Sequence, residues 1–434
     1  MTRTQTADNG IFAGRVSADL SAVLGSLQMQ GSREDELLSL NDAGWHEVLA
    51  LCDRLQLTLP LAQQSRERYP AWVRERLAGN LADVDRRFAR VKATYCEASA
   101  ALAQAGVPHV VLKGFTQAPD FVKAPQLRMQ GDIDFYTPGE HTRTALDALQ
   151  AIGYEPAGHP EDYGVSDHPP TLTRLQGWKW RGNRYDPDMP LAIEVHTCFW
   201  NAQVSLISLP EVDDFWKRRM NRKLGDLSFC ALSPVDHVCY FALHLLRDLL
   251  LGDPKIHHVL ELASFLHQRA DDSTFWMQWE SSYSSRVKQM QAIAFAVAGA
   301  GFSSRMPVAI EEHIRRLPAK QRAWIETCGG DLLVKSFLRT RDGHLLQFLL
   351  CDSAGTRRKI LWRAVSPGLI ASPRKLANRP NFPAELRTEL QWLPWRYPAY
   401  LTSRAFAHGA AVLRFIKNSL IVFLGKANKP QEPT

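Results

Sequence analysis

The sequence contains no paired cysteine motif, although it has seven cysteines among its 434 residues. None of them is arranged as C-x-x-C or with the spacing of a zinc finger, and their odd number leaves at least one thiol without an intramolecular partner. Cys52, Cys96 and Cys239 lie within apolar helical patterns. The cysteines therefore predict reduced, packed thiols in a cytoplasmic protein and argue against a disulfide framework.

Leader and membrane-spanning patterns are also missing. Residues Met1–Gly14 are polar and include Asp8, so they lack the apolar core of a signal peptide. The most apolar stretch, Gly409–Gly425, is interrupted by Arg414 and Lys417 and falls short of the roughly 20 apolar residues that a spanning helix needs. These absences predict a cytoplasmic protein whose contact with a membrane, if there is one, is peripheral.

Three common catalytic signatures do not occur. There is no H-E-x-x-H for a zinc protease, no G-x-x-x-x-G-K-[ST] for a P-loop hydrolase and no G-x-S-x-G for a serine esterase. His237 and His244 share one face of a predicted helix, which is more typical of packing histidines. The adjacent His257 and His258 point in different directions and make a poor chelating pair. The histidines alone therefore predict no metal site.

Charge is distributed unevenly along the chain. Residues 353–434 hold 14 Lys and Arg against 3 Asp and Glu, whereas the rest of the chain holds 38 against 42. A mildly acidic body thus carries a basic tail, which ends in an amphipathic helix predicted over Thr402–Leu424. The tail predicts an anionic partner, either RNA or the surface of an anionic membrane. A helix packed on the body and a solvated basic face are the alternatives.

Hydrophobic periodicity predicts an α+β protein. A long helix is expected over Trp72–Gln104, because its apolar residues recur in alternating steps of three and four. Short β-rich runs follow at His109–Gly114, Gly131–Tyr136 and Leu191–Thr197, and helices resume after Pro234. The predicted segments are a flexible N-terminus at 1–31, an N-terminal helical region at 32–105, a core at 106–232 with an irregular insert at 154–190, a C-terminal helical region at 233–350 and the basic tail at 351–434.

The most informative motif is Asp132-Ile133-Asp134. Residues two apart in a strand point to the same face, so both carboxylates project together while Ile133 faces the core. Such carboxylates repel each other unless a cation or a proton separates them, and Mg²⁺ prefers oxygen ligands of this kind. Glu194 on the third predicted strand offers another carboxylate, with His196 on the same face. Three carboxylates on neighbouring strands are typical of two-metal phosphoryl or nucleotidyl transfer.

Basic residues accompany these carboxylates. Lys113 and Gly114 end the first predicted strand with a cation and a flexible backbone suited to phosphate contacts, and Arg128 precedes Asp132 by four residues. Each feature has an ordinary alternative, since Asp-x-Asp strands arise by chance, Lys-Gly is a common turn and a single arginine is usually a solvated charge. The combination of these features along the chain favours a site.

The same motifs resemble a known family, the uncharacterised bacterial nucleotidyltransferases of the DNA polymerase beta-like superfamily. The resemblance covers about residues 35–270. Its motifs are Leu112–Gly114, Arg128, Gly131–Phe135, Ile193–His196 and Phe199–Trp200. It implies a small mixed β-sheet flanked by helices, and magnesium-dependent transfer of a nucleoside monophosphate from a nucleoside triphosphate (NTP) to an acceptor that the sequence does not identify.

The resemblance also implies roles for individual residues. Asp132, Asp134 and Glu194 would hold two Mg²⁺ ions. The turn at Lys113 and Gly114 would contact the NTP phosphates, as would Arg128, and His196 would orient Glu194 or the acceptor. The wider superfamily has a serine where Phe115 follows Gly114, so one triphosphate contact is missing here. Two alternatives are an enzyme that modifies RNA ends with its basic tail as a clamp, and an inactive protein of the same fold that binds a nucleotide or a partner.

Overall fold

The chain forms two compact units. A computed structural model describes residues 21–64, 66–157, 166–174, 177–330, 340–366 and 396–424. Within these residues, the larger unit holds the chain from 21 to Asp248 together with Pro254–Leu317, and the smaller unit holds Leu249–Asp253 and the chain from Pro318 onward. Residues 1–20 of the predicted flexible N-terminus, like parts of the predicted insert and tail, lie outside the described residues.

Helices begin the larger unit. Residues 21–26 are helical, and Val23 and Leu27 are buried, so this end of the predicted flexible segment is packed. The next four helices are α1 (Glu34–Leu38), α2 (Asp42–Leu55), α3 (Thr58–Leu61) and α4 (Ala71–Gln104). At the start of α2, the Asn41 side chain accepts a hydrogen bond from the Gly44 backbone, which satisfies one of the free donors of the first turn.

The long helix α4 confirms the prediction made from its periodicity. Val91, Tyr95, Ala98 and Leu102 form a buried stripe at the predicted spacing and pack against one face of the sheet. Gly106, at a φ of +69°, follows the end of the helix and turns the chain towards the first strand. The apolar stripe of α4 therefore covers one side of the sheet and leaves the other side for polar residues.

The sheet has five strands in the order β1-β2-β5-β4-β3. The strands are β1 (Val110–Val111), β2 (Asp132–Tyr136), β3 (Glu155–Pro156), β4 (Leu172–Thr173) and β5 (Ala192–His196). β2 and β5 are parallel, joined by a crossover that includes helix α5 (Thr142–Ala151), and the other pairs are antiparallel. The sheet is therefore mixed, and the predicted α+β class is confirmed.

Two features of the larger unit depart from the sequence-based expectation. The insert at 154–190 is not wholly irregular, because β3 and β4 extend the sheet from within it. After the short helix α6 (Ala202–Ser205), an unpredicted hairpin follows, formed by β6 (Met220–Leu224) and β7 (Leu227–Ala231). Only β7 alternates between buried and exposed residues, so the polar β6 gave little periodic signal.

Helices close the larger unit. They are α7 (Pro234–Leu251, whose last residues belong to the smaller unit), α8 (Ile256–Gln268), α9 (Ser273–Ser282), α10 (Ser285–Phe302) and α11 (Val308–Arg316). α7 and α8 lie on either side of Gly252, in the region where the sequence predicts that helices resume. α9 and α10 are separate helices, because Tyr283 adopts an extended conformation and the Ser284 side chain caps α10.

Among its described residues, the smaller unit has four further α-helices, α12 (Ala319–Trp324), α13 (Asp342–Leu350), α14 (Ala354–Val365) and α15 (Arg396–Leu424). The packed face of α15 includes Phe415 and Val422, and its Asn418 donates a hydrogen bond of 2.8 Å to the buried Asp342. Within α15, Ala405–Leu424 is long and apolar enough to cross a membrane by length and composition, and 17% of its most apolar part is buried.

Candidate active site

The carboxylates of β2 and β5 lie on one face of the sheet. The two strands are in register, so Asp134 lies opposite Glu194 and Asp132 lies opposite Ala192. Ile133 and Phe135 point the other way, into the core beneath α4. The parallel pairing thus brings together carboxylates that are far apart in the sequence, as the spacing predicted.

Asp134 is the centre of a hydrogen-bond network. Its Oδ1 accepts from Lys113 Nζ at 3.0 Å and lies 2.8 Å from His196 Nε2. Burial by itself raises the pKa of Asp134, but the Lys113 ammonium and the His196 hydrogen bond outweigh it and hold that pKa well below its usual range. Asp134 is therefore ionised at neutral pH and carries a fixed negative charge inside the protein.

Glu194 is held by residues from the insert. Thr171 Oγ1 donates to its Oε1 at 3.0 Å, while His168 Nε2 lies 3.3 Å and His196 Nε2 3.6 Å from its Oε2. Burial favours the neutral acid, but the interaction with His196 prevails and lowers the pKa of Glu194. One wall of the candidate site is thus made by the segment between β3 and β5.

Asp132 is in a different electrostatic state. Burial, followed by the negative charge of Asp134, raises the pKa of Asp132 to about 6, although Lys113 opposes the effect. Two carboxylates on one face therefore differ in proton affinity, because the lysine and histidine pair with Asp134.

Gln130 connects the turn after β1 to β2 through two side-chain hydrogen bonds. Its side-chain Oε1 accepts from the backbone N–H of Phe115 at 3.0 Å, and its Nε2 donates to the carbonyl of Asp132 at 2.7 Å. Gly114 adopts a φ of +71°, and a Cβ added there would lie 2.2 Å from Nε2 of Gln130. The glycine is required both by its backbone conformation and by this close approach, and the turn fixes Lys113 beside Asp134.

Arg128 pairs with a carboxylate on α8. Its Nε donates to Glu261 Oε1 at 2.8 Å, and Gln117 donates to the other oxygen at 3.2 Å. Both ends of the ion pair are largely buried. Against the effect of burial, the charge of Arg128 also lowers the pKa of Asp132, so Arg128 acts on the site while it is tied to α8. Its contact with NTP phosphates stays a prediction.

Helix α7 supplies two residues that the sequence analysis missed. His244 Nε2 lies 3.5 Å from Lys113 Nζ and 2.8 Å from Arg247 Nη2, and Arg247 also forms an ion pair with Asp167 of the insert. In the sequence, His244 shares a predicted helix face with His237, a pattern typical of packing histidines, and Arg247 has no distinctive signal. The tertiary contact of α7 with the turn that carries Lys113 brings both residues to the site.

The fold and the site together are typical of phosphoryl-transfer enzymes. Carboxylates on a parallel strand pair can hold metal ions, and the adjacent buried lysine and the glycine turn can contact phosphates. A family model described as "Uncharacterised nucleotidyltransferase" matches residues 41–305, more than half of the chain. The chain belongs to this family, which makes it a transferase with a nucleotide substrate. Comparisons with curated proteins and with solved structures found no match.

Proposed function

We propose that this protein transfers a nucleoside monophosphate from an NTP, ATP among them, to an acceptor hydroxyl or phosphate. The acceptor oxygen forms a bond to the α-phosphorus as the bond to the leaving pyrophosphate breaks. The observation that carries this proposal is the register of β2 and β5, which sets Glu194 opposite Asp134. Asp134 in turn pairs with Lys113. Placement in the DNA polymerase beta-like superfamily is part of the proposal and rests on the resemblance of the motifs.

The donor set suits magnesium. Asp132, Asp134 and Glu194 offer hard carboxylate oxygens, and the pKa of Asp132 is raised by burial and by the negative charge of Asp134, which a bound cation would offset. We assign these three residues as ligands of two Mg²⁺ ions. When bound, the ions neutralise the phosphates and stabilise the attacking and leaving oxygens.

The protein's own residues position the reactants. Lys113 directs an ammonium to the face that carries the carboxylates, where it is placed to pair with a phosphate oxygen. His196 bridges Asp134 and Glu194 and orients both carboxylates. His168 and Thr171 approach Glu194 from the insert, so we assign the insert to the acceptor side of the site.

Label transfer tests this proposal. Purified protein with Mg²⁺ and α-labelled ATP, or each other α-labelled NTP in turn, is incubated with cell extract as the source of acceptors. We expect label in an acid-stable product that requires Mg²⁺ and is absent with γ-labelled ATP. Label confined to RNA would favour the RNA-end-modifying alternative. No label from any NTP, together with NTP binding that survives Asp132→Ala/Asp134→Ala, would favour an inactive binding protein.

Metal binding should depend on pH through Asp132. Because its folded-state pKa is about 6, above its ordinary value of 3.8, a proton competes with the metal below pH 6. We expect Mg²⁺ affinity, measured by calorimetry, to fall as pH drops from 7 to 5. The folding stability of the metal-free protein depends on pH in the opposite direction. The raised pKa of Asp132 favours folding at low pH, and this contribution is lost as pH rises through 6.

The control for this prediction is Asp132→Asn, which cannot titrate. The variant should bind Mg²⁺ more weakly at pH 7 and show a smaller change in affinity between pH 5 and pH 7. An unaltered pH profile in the variant would contradict the assignment of this titration to Asp132.

We also propose that the basic tail docks α15 on an anionic membrane surface. Phe406, Leu413, Ile416, Leu420, Phe423 and Leu424 are 41% to 76% exposed, and the steps of seven, three, four and then three or four residues between them place them along one side of the helix. Neither α14 nor α15 contains Asp or Glu, whereas both contain Lys or Arg. An anionic lipid surface can bury the apolar stripe and attract the positive charge together. RNA can attract only the positive charge.

Vesicle sedimentation tests the membrane proposal. The protein should sediment with phosphatidylglycerol vesicles, less with phosphatidylcholine vesicles, and less again as salt is raised. Leu413→Glu/Leu420→Glu should reduce binding to anionic vesicles by at least about tenfold, because each charge must enter an apolar layer. Retained binding in this double variant would contradict the proposal, as would a dimer in light scattering that the same variant dissociates.

A further inference from the structure

We infer that His244, Asp248 and His258 form a second metal site, for a zinc ion, separate from the carboxylates of β2 and β5. His244 and Asp248 are one turn apart on α7, and His258 lies at the beginning of α8. The site uses none of the three carboxylates assigned to magnesium, so its existence does not depend on the proposed nucleotidyl transfer.

The three side chains converge on a single point. Asp248 Oδ2 lies 3.6 Å from His244 Nδ1 and 3.5 Å from His258 Nδ1, and the three ligand atoms lie within 4.8 Å of one another. Ligands at about 2.0–2.1 Å from a tetrahedral zinc ion are roughly 3.4 Å apart. The two measured edges are therefore close to those of such a tetrahedron.

These same atoms are buried without hydrogen-bond partners. His244, Asp248 and His258 are each 8% exposed, and His244 Nδ1, His258 Nδ1 and Asp248 Oδ2 have no hydrogen bond within the described part of the chain. An unsatisfied polar atom in the interior costs about 1–3 kcal/mol. Three such atoms directed at one another would be satisfied together by one cation, which is a stronger indication than the residue types alone.

The donors favour zinc. Two imidazoles and one carboxylate form a set that zinc accepts, and three protein ligands leave the fourth position open.

Metal binding at this site is coupled to Lys113 through the proton on His244. Without metal, His244 Nε2 accepts from Arg247 at 2.8 Å, which places the ring proton on Nδ1. Coordination through Nδ1 requires that proton to be on Nε2. The Arg247 hydrogen bond to His244 must then break, while Arg247 keeps its ion pair with Asp167. Zinc would thereby also alter the contact between His244 and Lys113.

The test is zinc binding by the full chain after chelator treatment. Competition with a chromophoric chelator should give one tight zinc ion per chain, and Co²⁺ in its place should give the intense visible absorption of a tetrahedral site. His258→Gln should weaken zinc binding by at least about 100-fold, since even outer partners of metal ligands cost 10–100-fold. Asp248→Asn, which preserves shape, should also weaken binding and keeps the test valid if His258→Gln does not fold.

His257→Gln is the matched control. His257 is adjacent to His258 but outside the cluster, so this variant should keep the zinc and the cobalt spectrum. Asp134→Asn should keep them as well, which separates this site from the carboxylate site. The inference is overturned if wild-type protein binds no zinc tightly, if His258→Gln and Asp248→Asn bind as wild type does, or if Asp134→Asn alone removes the metal.

Discussion

Asp134→Asn is expected to lower nucleotidyl transfer by about 10³-fold or more, because it removes the charge at the centre of the site. The carboxylate pairs with Lys113 at 3.0 Å and contacts His196 at 2.8 Å. The substitution preserves shape but leaves a largely buried ammonium without its anion. The free energy of unfolding should therefore fall by about 3 kcal/mol. Single-turnover label transfer measures the first effect, and denaturant unfolding measures the second.

A second substitution separates chemistry from stability. Lys113→Met/Asp134→Asn removes both charges, so it should recover much of the lost stability while activity stays low. Asp226→Asn is the surface control: this exposed residue pairs with Lys92, and its loss should leave the free energy of unfolding nearly unchanged. An Asp134→Asn enzyme that retained a tenth of the wild-type rate would refute the assigned role.

Gly114→Ala is the second large effect that we expect. A side chain at φ +71° costs about 1–2 kcal/mol, and a Cβ at 2.2 Å from Gln130 must displace that side chain. Its displacement breaks the bond to the Phe115 backbone and frees the turn that holds Lys113. We expect the free energy of unfolding to fall by about 3 kcal/mol. Nucleotide affinity, measured by fluorescence titration, should fall at least about tenfold.

Gly131→Ala serves as the control, because a Cβ there meets nothing within 4 Å and its φ is not positive. Adding Gln130→Ala to Gly114→Ala should remove the clash, but not the cost of a positive φ for alanine at position 114. The double variant should therefore be more stable than the sum of the single effects. Strict additivity of Gly114→Ala and Gln130→Ala would show that the two residues do not meet.

Much of the fold was predictable because its elements have strong local signals. The stripe of α4 and the alternation in β2 and β5 each repeat at a regular period, and all three were found where expected. The two-residue strand β3 and the polar β6 lack such a period. These elements depend on pairing with distant residues, and a local pattern does not encode that pairing.

The candidate site was predictable to the extent that it follows from strand geometry. Alternation placed Asp132 and Asp134 on one face of β2, and Glu194 with His196 on one face of β5. The ion pair between Arg128 and Glu261 could not be predicted, because it is set by the packing of α8. The predicted contact of Arg128 with NTP phosphates stays a prediction. His258 lies beside His244 only because α7 and α8 pack together. The sequence analysis considered His258 only with its neighbour His257, so it did not detect the pair that His258 forms with His244 on another helix.

The parallel pairing of β2 with β5 has a consequence for how the site is assembled. Parallel neighbours cannot be joined by a tight turn, so the chain between them must complete its whole crossover before Glu194 meets Asp134. Loop-closure entropy makes such distant contacts slow to form. Opening of this crossover would dismantle the site even if α4 and the C-terminal helices stayed folded. A ligand that binds both strands would stabilise the folded crossover. Amide hydrogen exchange in β5 should therefore slow when the ligand binds.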